Sequence, residues 1–320
     1  MDYQLLDEVV HRRFNGVAVG WRRESRYSHL CGFGHKGAKL VLKIPVPRTA
    51  ASLAENERRS LGKRLNSMTS FFLDGLLDCG VLLARDYVVD IDRYGYGLHV
   101  SRDEGMNCEE QLSSSSVAPE TIFMRMIRCI RGVLTQKEFV VGLDGRLENF
   151  AGDEARYVDV FPPLVKIGEK YHVHHPNPTD PEVLKVEMER KFTAFGILRR
   201  IRFDVLCADP VLEPIFLGAI RGELPEMIGR TLIEQFASLP DREIVRQSPQ
   251  TILDYLAQLE PDEVEARREV AARIIPKDAK RRQRLFDVFT WTSSTIQKSP
   301  EEFRERLNRF EVLIREILLG

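Results

Sequence analysis

Asp144, Asn149 and Asp159 are three of the oxygen-bearing side chains in one short stretch, "DGRLENFAGDEARYVD". Aspartate and asparagine are common turn residues and "DG" is a turn signal, so two turns and a strand end are one reading. A site for a metal and a phosphate is the other. Hard cations such as magnesium take oxygen ligands, and a further carboxylate can orient an attacking hydroxyl. Phosphoryl transfer from a nucleotide asks for those groups and for a cation on the phosphates. Lys43, which ends the apolar run "KLVLK", is a candidate for that cation, although an alternating strand could equally turn it to solvent. Glu55 and Glu57 follow on a helical segment that could carry its partner, Glu57 being favoured as the one further along. For Asp159 the plain alternative is a solvated strand end before Pro162 and Pro163.

The order of these groups carries more than any of them alone. A strand lysine, a helix glutamate, a carboxylate-x4-asparagine loop and a strand-terminal aspartate follow one another, and in this the chain resembles the protein-kinase-like superfamily. Its aminoglycoside-phosphotransferase and small-molecule-kinase branch is closer than the protein kinases. The resemblance covers roughly residues 15 to 165 in layout. It implies an α+β, two-lobed fold with a small β-rich N-lobe and a mostly helical C-lobe. It implies ATP or another nucleoside triphosphate with Mg2+, and a small-molecule hydroxyl acceptor held between the lobes. By the family's logic Asp144 is the catalytic carboxylate, and Asn149 and Asp159 hold the metal. Lys43, steadied by Glu57, holds the phosphates. Gly20 and Ser25, with Ser28, stand where a phosphate-covering loop belongs, in "VGWRRESRYS", and Arg22 and Arg23 are placed to assist.

The chain departs from the family in three places. The family's loop histidine falls on Gly142; Val160, Phe161 and two prolines follow Asp159; and the stretch "VGWRRESRYS" has no G-x-G-x-x-G. Ten positions separate Asn149 from Asp159, so a tight hairpin with its turn at Gly152-Asp153 is required. An alternative on the same fold is a pseudokinase-like protein that binds without transfer. A third reading sets the resemblance aside and leaves an α+β scaffold whose C-terminal helices bind another protein.

The positioning elements can be read from pattern. "GVAVGW", "YSHLCGFG" and "AKLVLKIPV" are short runs rich in β-branched or aromatic residues, with a hairpin turn at Gly37. Thr49 to Met68 has helical spacing in Leu53, Leu61 and Leu65, with Ser52 and Glu55 arranged as a capping box. Two further strands, "RDYVVDIDRY" and "GYGLHVSR", complete a sheet expected before about residue 105. The serine run Ser113 to Ser116 is the best linker candidate, which sets expected boundaries of 1–112 for the N-lobe and 113–320 for the C-lobe. Pro119 opens a helix in which Ile122, Met126, Ile130 and Val133 share a face. A loop, "YHVHHPNPTDP", precedes an almost wholly helical remainder.

Composition narrows the classes. The 320 residues are 43% hydrophobic and 30% charged, which suits a folded chain with a sizeable core. Lys and Arg number 47 against 48 acids, so no global basic excess points to nucleic acid or an anionic membrane. The start reads as no signal peptide, and "FFLDGLLDCGVLLA" is too short and too charged to span a bilayer. Five dispersed cysteines without a C-x-x-C pair fit a reducing cytoplasm. His172, His174 and His175, with Asp180 after them, are a weak metal motif and more simply a solvated loop. The run "PKDAKRRQR" at Pro276 to Arg284 is a solvated helix face or a contact for an anionic partner. Trp21 and Trp291 read as core or edge residues.

Overall fold

The computed structural model describes residues 4–15, 17–24, 28–45, 47–168, 170–173, 188–239, 252 and 263–319. The expected α+β class is what it shows. A five-stranded antiparallel sheet forms the N-terminal part and helices dominate the C-terminal part. The chain groups into two units, one of residues 1–111 with 125–197, the other of 112–124 with 198–320.

In the first unit, strands β1 (Val19–Glu24), β2 (Ser28–His35), β3 (Ala38–Pro45), β4 (Val88–Ile91) and β5 (Gly97–Arg102) lie in the order β1-β2-β3-β5-β4. Lys36 and Gly37, with φ of 49° and 80°, make the β2–β3 turn. Two consecutive left-handed residues suit the twist of a two-residue hairpin, and glycine carries the second at no steric cost. Period-two alternation gives the sheet two different faces. One is apolar: Cys31, Phe33, Leu42, Ile44 and Leu98 pack against Leu6, Val9 and Val10 of helix α1 (Gln4–Arg13). That helix lies in the start that reads as no signal peptide, and its short apolar stripe is buried against the sheet.

The expected helix from Thr49 is interrupted. A short helix α2 (Pro47–Ala51) ends where Ser52 Oγ donates to the Thr49 carbonyl at 2.8 Å. Helix α3 (Glu55–Asp78) then begins, and the Glu57 carboxylate reaches back to the Ala54 N–H at 3.2 Å. The reciprocal logic of a capping box is thus half realised by Ala54 and Glu57 rather than by Ser52 and Glu55. Leu65, Thr69, Phe72, Leu73 and Leu76 form its buried face, so much of the apolar stretch after Ser70 is the inner side of a helix. Among the described residues no helix is long and apolar enough to cross a membrane.

The serine run is not an open linker at its start: Ser113 and Ser114 close helix α4 (Cys108–Ser114), and Ser115 takes a left-handed φ of 53°. Helix α5 (Pro119–Leu134) follows, with Ile122, Met126, Ile130 and Val133 all buried. Then come a 3-10 turn (Leu147–Asn149), the two-residue strands β6 (Phe150–Ala151) and β7 (Arg156–Tyr157), and the hairpin β8 (Leu164–Ile167) and β9 (Lys170–Val173). His172 therefore sits in a strand, not at a loop start; His174, His175 and Asp180 lie outside the described residues.

Helix α6 (Ala194–Ala208) is capped by Thr193, whose hydroxyl accepts from the Gly196 N–H at 2.9 Å. The second unit continues with α7 (Glu213–Glu223), α8 (Glu226–Ala237), α9 (Val264–Ile274), α10 (Ala279–Lys298) and α11 (Pro300–Leu319). Val270, Ala271, Leu285, Phe289, Phe310, Ile314 and Ile317 form the apolar core of its last three helices. A charged core lies beside it. Arg202 and Arg273 both bond Glu213, and Arg199 forks onto Glu269 at 2.8 and 2.7 Å. The basic run has structural work: Arg281 donates to the Ile317 and Leu318 carbonyls, and Arg282 to those of Ile275 and Pro276. These are helix-end carbonyls without intrahelical partners, which arginine satisfies well.

Candidate functional site

The second face of the sheet carries the candidate site. Residues opposite one another in an antiparallel sheet point the same way, so the register Arg23–Leu30–Lys43–His99–Val89 is one row across all five strands. Arg22 is one position out and belongs to the other face. Accordingly Arg22 pairs with Asp7 of α1 at 2.6 Å, while Arg23 pairs with Glu148 of the 3-10 turn at 2.9 Å. The two arginines that the sequence offered together for phosphate contacts are separated by strand alternation, and only Arg23 faces the candidate site.

Lys43 Nζ lies 2.6 Å from Asp159 Oδ1, its side chain 11% exposed. Glu57 is not its partner; that carboxylate is exposed and engaged with the start of its own helix. The physical reason is the position of Glu57 in the first turn of α3, where free N–H groups draw carboxylates. Glu55, the other candidate, forms an exposed i,i+4 pair with Arg59.

The loop that holds Asp144 is built by close backbone approach. The Leu143 N–H donates to the Lys191 carbonyl at 2.8 Å, and the Gly142 N–H donates to that of Leu164 at 2.9 Å. A side chain at Gly142 would begin 2.5 Å from the Lys191 carbonyl oxygen. The histidine expected there by family resemblance therefore has no room, and backbone bonding to β8 and to residue 191 does the fastening instead.

Asn149 is buried and donates from Nδ2 to the Asp144 carbonyl at 2.9 Å. The Val158 N–H returns to the Asn149 carbonyl at 2.9 Å, and β6 pairs with β7 through Phe150 opposite Tyr157. The short hairpin demanded by the ten-position spacing thus closes, its reversal carried by Gly152 and Ala155 at φ of 75° and 50°. Tyr157 ties the ends together. Its hydroxyl accepts from the Asp144 N–H at 3.3 Å, and its acidity is suppressed first by burial and then by the nearby charges of Asp159 and Asp144.

His99, opposite Lys43, is 1% exposed, and neither ring nitrogen has a hydrogen-bond partner among the described residues. It meets Phe161 edge-on at 5.7 Å and Tyr87 at 6.1 Å. Burial, helped by the Lys43 charge, pushes its pKa down to about 3, so the imidazole is neutral. Nothing in the sequence marked it, because a lone histidine in a strand has no motif; only the register with Lys43 exposes it.

Of the sequence-derived candidates, the structure brings Lys43 to Asp159, and Asn149 to Asp144, within one unit. Gly20 lies in β1 at a bulge, and Ser25 lies outside the described residues. Among the described residues no cluster of three or more His, Cys, Asp or Glu could hold a metal. Magnesium bound with nucleotide needs fewer, since phosphates and water complete its shell. Asp159 and Asn149 offer the hard oxygen donors such an ion takes, so the donor set fits.

No family model matches the chain, and no curated protein matches it in sequence. Among solved structures it is similar to a MAP kinase from Leishmania major, at 13% identity and a TM-score of 0.34, over 98% of both chains. It is also similar to a thermostable mutant of an aminoglycoside phosphotransferase in complex with ADP and hygromycin B. There the identity is 11% and the TM-score 0.27, over 98% of this chain and 99% of that one. Likenesses at these scores carry no functional reading, so the side chains described above have to carry it.

Proposed function

We propose that this chain is a nucleotide- and magnesium-dependent phosphotransferase acting on the hydroxyl of a small molecule. The observation that carries the reading is the 2.6 Å pair of Lys43 and Asp159, 116 positions apart in sequence, in the same unit as the Asn149–Asp144 contact. A lysine and an aspartate so placed are the cation for phosphates and the anion for a metal, held beside each other. Lys43 and Arg23 would contact phosphate oxygens, and Asp159 and Asn149 would hold magnesium, which neutralises charge on the transferred group. Asp144, half-buried and fixed at its backbone by Tyr157 and Asn149, would accept the proton of the acceptor hydroxyl.

Thermal shift of the full chain with ATP, with and without magnesium, tests this, followed by nucleotide consumption against a panel of hydroxyl acceptors. Stabilisation that needs magnesium, with turnover on some acceptor, is the expected result. No shift with any nucleotide would overturn it.

A second reading is binding without transfer, favoured by two observations. Glu57 caps a helix instead of steadying Lys43, and Gly142 excludes the loop histidine. A magnesium-independent shift without turnover would select it.

A further inference from the structure

The bulge in β1 changes which side chain faces the site. Val19 stands opposite Phe33, and Trp21 opposite Gly32, so the pairing slips by one residue at Gly20. Without the slip Trp21 would share the face of Val19, the apolar face packed on α1. With it, Trp21 shares the face of Gly32, Val41 and Lys43. Bulges often re-aim a side chain in this way beside functional sites.

The indole lies flat against the sheet, since a Cβ on Gly32 would fall 2.1 Å from Trp21 Nε1. Glycine is needed at that position for the ring to settle there. The residue is nonetheless 43% exposed, so a large part of the ring faces outward. Arg23 lies two residues along β1 on the same face, and Lys43 two strands away. With about 3.3 Å per residue and about 4.8 Å between strands, the Trp21 and Lys43 backbones are roughly 12 Å apart. A nucleoside di- or triphosphate can bridge that span with its base at one end and its phosphates at the other.

We propose that Trp21 is a stacking platform for the planar base of the nucleotide, which makes it a determinant of preference for nucleotides over simple polyphosphates. The inference rests on the phosphotransferase or nucleotide-binding reading of the same face. Aromatic stacking holds any base by its π-face, so the platform discriminates base from no base more than one base from another. The plain alternative is that the ring only covers a glycine near the sheet edge for stability.

The test compares magnesium ATP with magnesium tripolyphosphate by calorimetric titration of the full chain. The native chain is expected to bind ATP roughly tenfold to a hundredfold more tightly than tripolyphosphate. Trp21→Ala should bring that ratio close to one while leaving tripolyphosphate affinity unchanged, and Trp21→Phe should keep most of it. In a Trp291→Phe background, ATP but not tripolyphosphate should change the fluorescence of Trp21. A ratio unmoved in Trp21→Ala, with only a lower melting temperature, would show a glycine cover and overturn the proposal. Equal binding of ATP and tripolyphosphate by the native chain would overturn it too, yet leave the phosphate site standing. Binding of neither would remove the underlying reading and this proposal with it.

Discussion

Lys43 and Asp159 form an ion pair that joins the centre of the sheet to the segment following β7, at 2.6 Å and mostly out of water. Each neutralises the other, so the loss of either leaves an uncompensated charge in a partly desolvated place. Lys43→Met and Asp159→Asn should each cost about 1–3 kcal/mol of stability. The double variant should be clearly less destabilised than the sum, because the orphaned charge is gone. Urea unfolding of the three variants measures this, and strict additivity would mean that the pair is not formed in solution.

The two aspartates should differ in what they support. Asp159→Asn removes a charged oxygen from a hard-cation site, and magnesium-dependent nucleotide affinity should fall at least about tenfold. Asp144→Asn should leave that affinity nearly intact and lower turnover by roughly 10²–10⁴-fold, since only the proton acceptor is lost. Titration of nucleotide into both variants, beside turnover on the acceptor identified, distinguishes them. Equal losses of binding would show the roles to be wrongly divided.

His99 gives a pH signature. Its folded pKa of about 3 lies below its ordinary 6.5, so below pH 6.5 the unfolded chain takes up a proton that the folded chain refuses. Above 6.5 there is no penalty. As pH falls from about 6.5 towards 3, stability should decline by up to about 1.4 kcal/mol per pH unit from this residue. His99→Phe keeps a ring between Tyr87 and Phe161 and opposite Lys43 but cannot titrate. Its stability curve from pH 6.5 to 4.5 should be flatter than that of the native chain, and curves of equal slope would refute the assignment.

Glu213 acts in a lower range. Burial would raise its pKa, but Arg202 and Arg273 together outweigh burial and lower it from the ordinary 4.5. The stabilisation it brings is present above about pH 4.5 and is lost as pH falls through the lowered folded value. Glu213→Gln leaves Arg202, fully buried, short of a counter-charge and should destabilise the chain by about 3–5 kcal/mol at neutral pH. Chemical denaturation at pH 7 and pH 4 should show the deficit shrinking in acid. A loss under about 1 kcal/mol at pH 7 would show the pair to be freely hydrated.

How much of this was legible beforehand depends on the range of the interactions. Strands β2 to β5 and the turn at Gly37 are written in local alternation and turn chemistry and overlap the runs that show it, whereas β1 begins three residues into its run and continues through Glu24. The helix after Lys43 was visible in its leucine spacing, but its start was not. Ser52 and Ala54 compete for the cap, and the Glu57 carboxylate settles it by reaching the Ala54 N–H. Helix α1 went unread because Leu6, Val9 and Val10 make a narrow stripe that only a finished sheet can bury. For the candidate site, the side-chain types and their order were legible, whereas the nearness of Lys43 to Asp159, 116 positions apart, is made by the fold. The faces were not. Strand alternation parts Arg22 from Arg23 and Trp21, but the bulge at Gly20 decides which face each takes, and no local pattern announces a bulge. The neutral His99 and the crowding at Gly142 come from contacts with distant segments, which a linear reading does not contain.

Among the described residues, the order of the sheet leaves β1 with one side of its backbone unpaired by other strands. An exposed strand edge is an invitation for a second chain to add its own strand and grow into an aggregate. Here that edge is guarded by charge on both faces: Arg22 leans to Asp7, and Arg23 to Glu148. An incoming strand would crowd two arginines already committed to partners within the chain. Charge held at a strand edge in this way is of the kind that discourages copies of a chain from pairing through it.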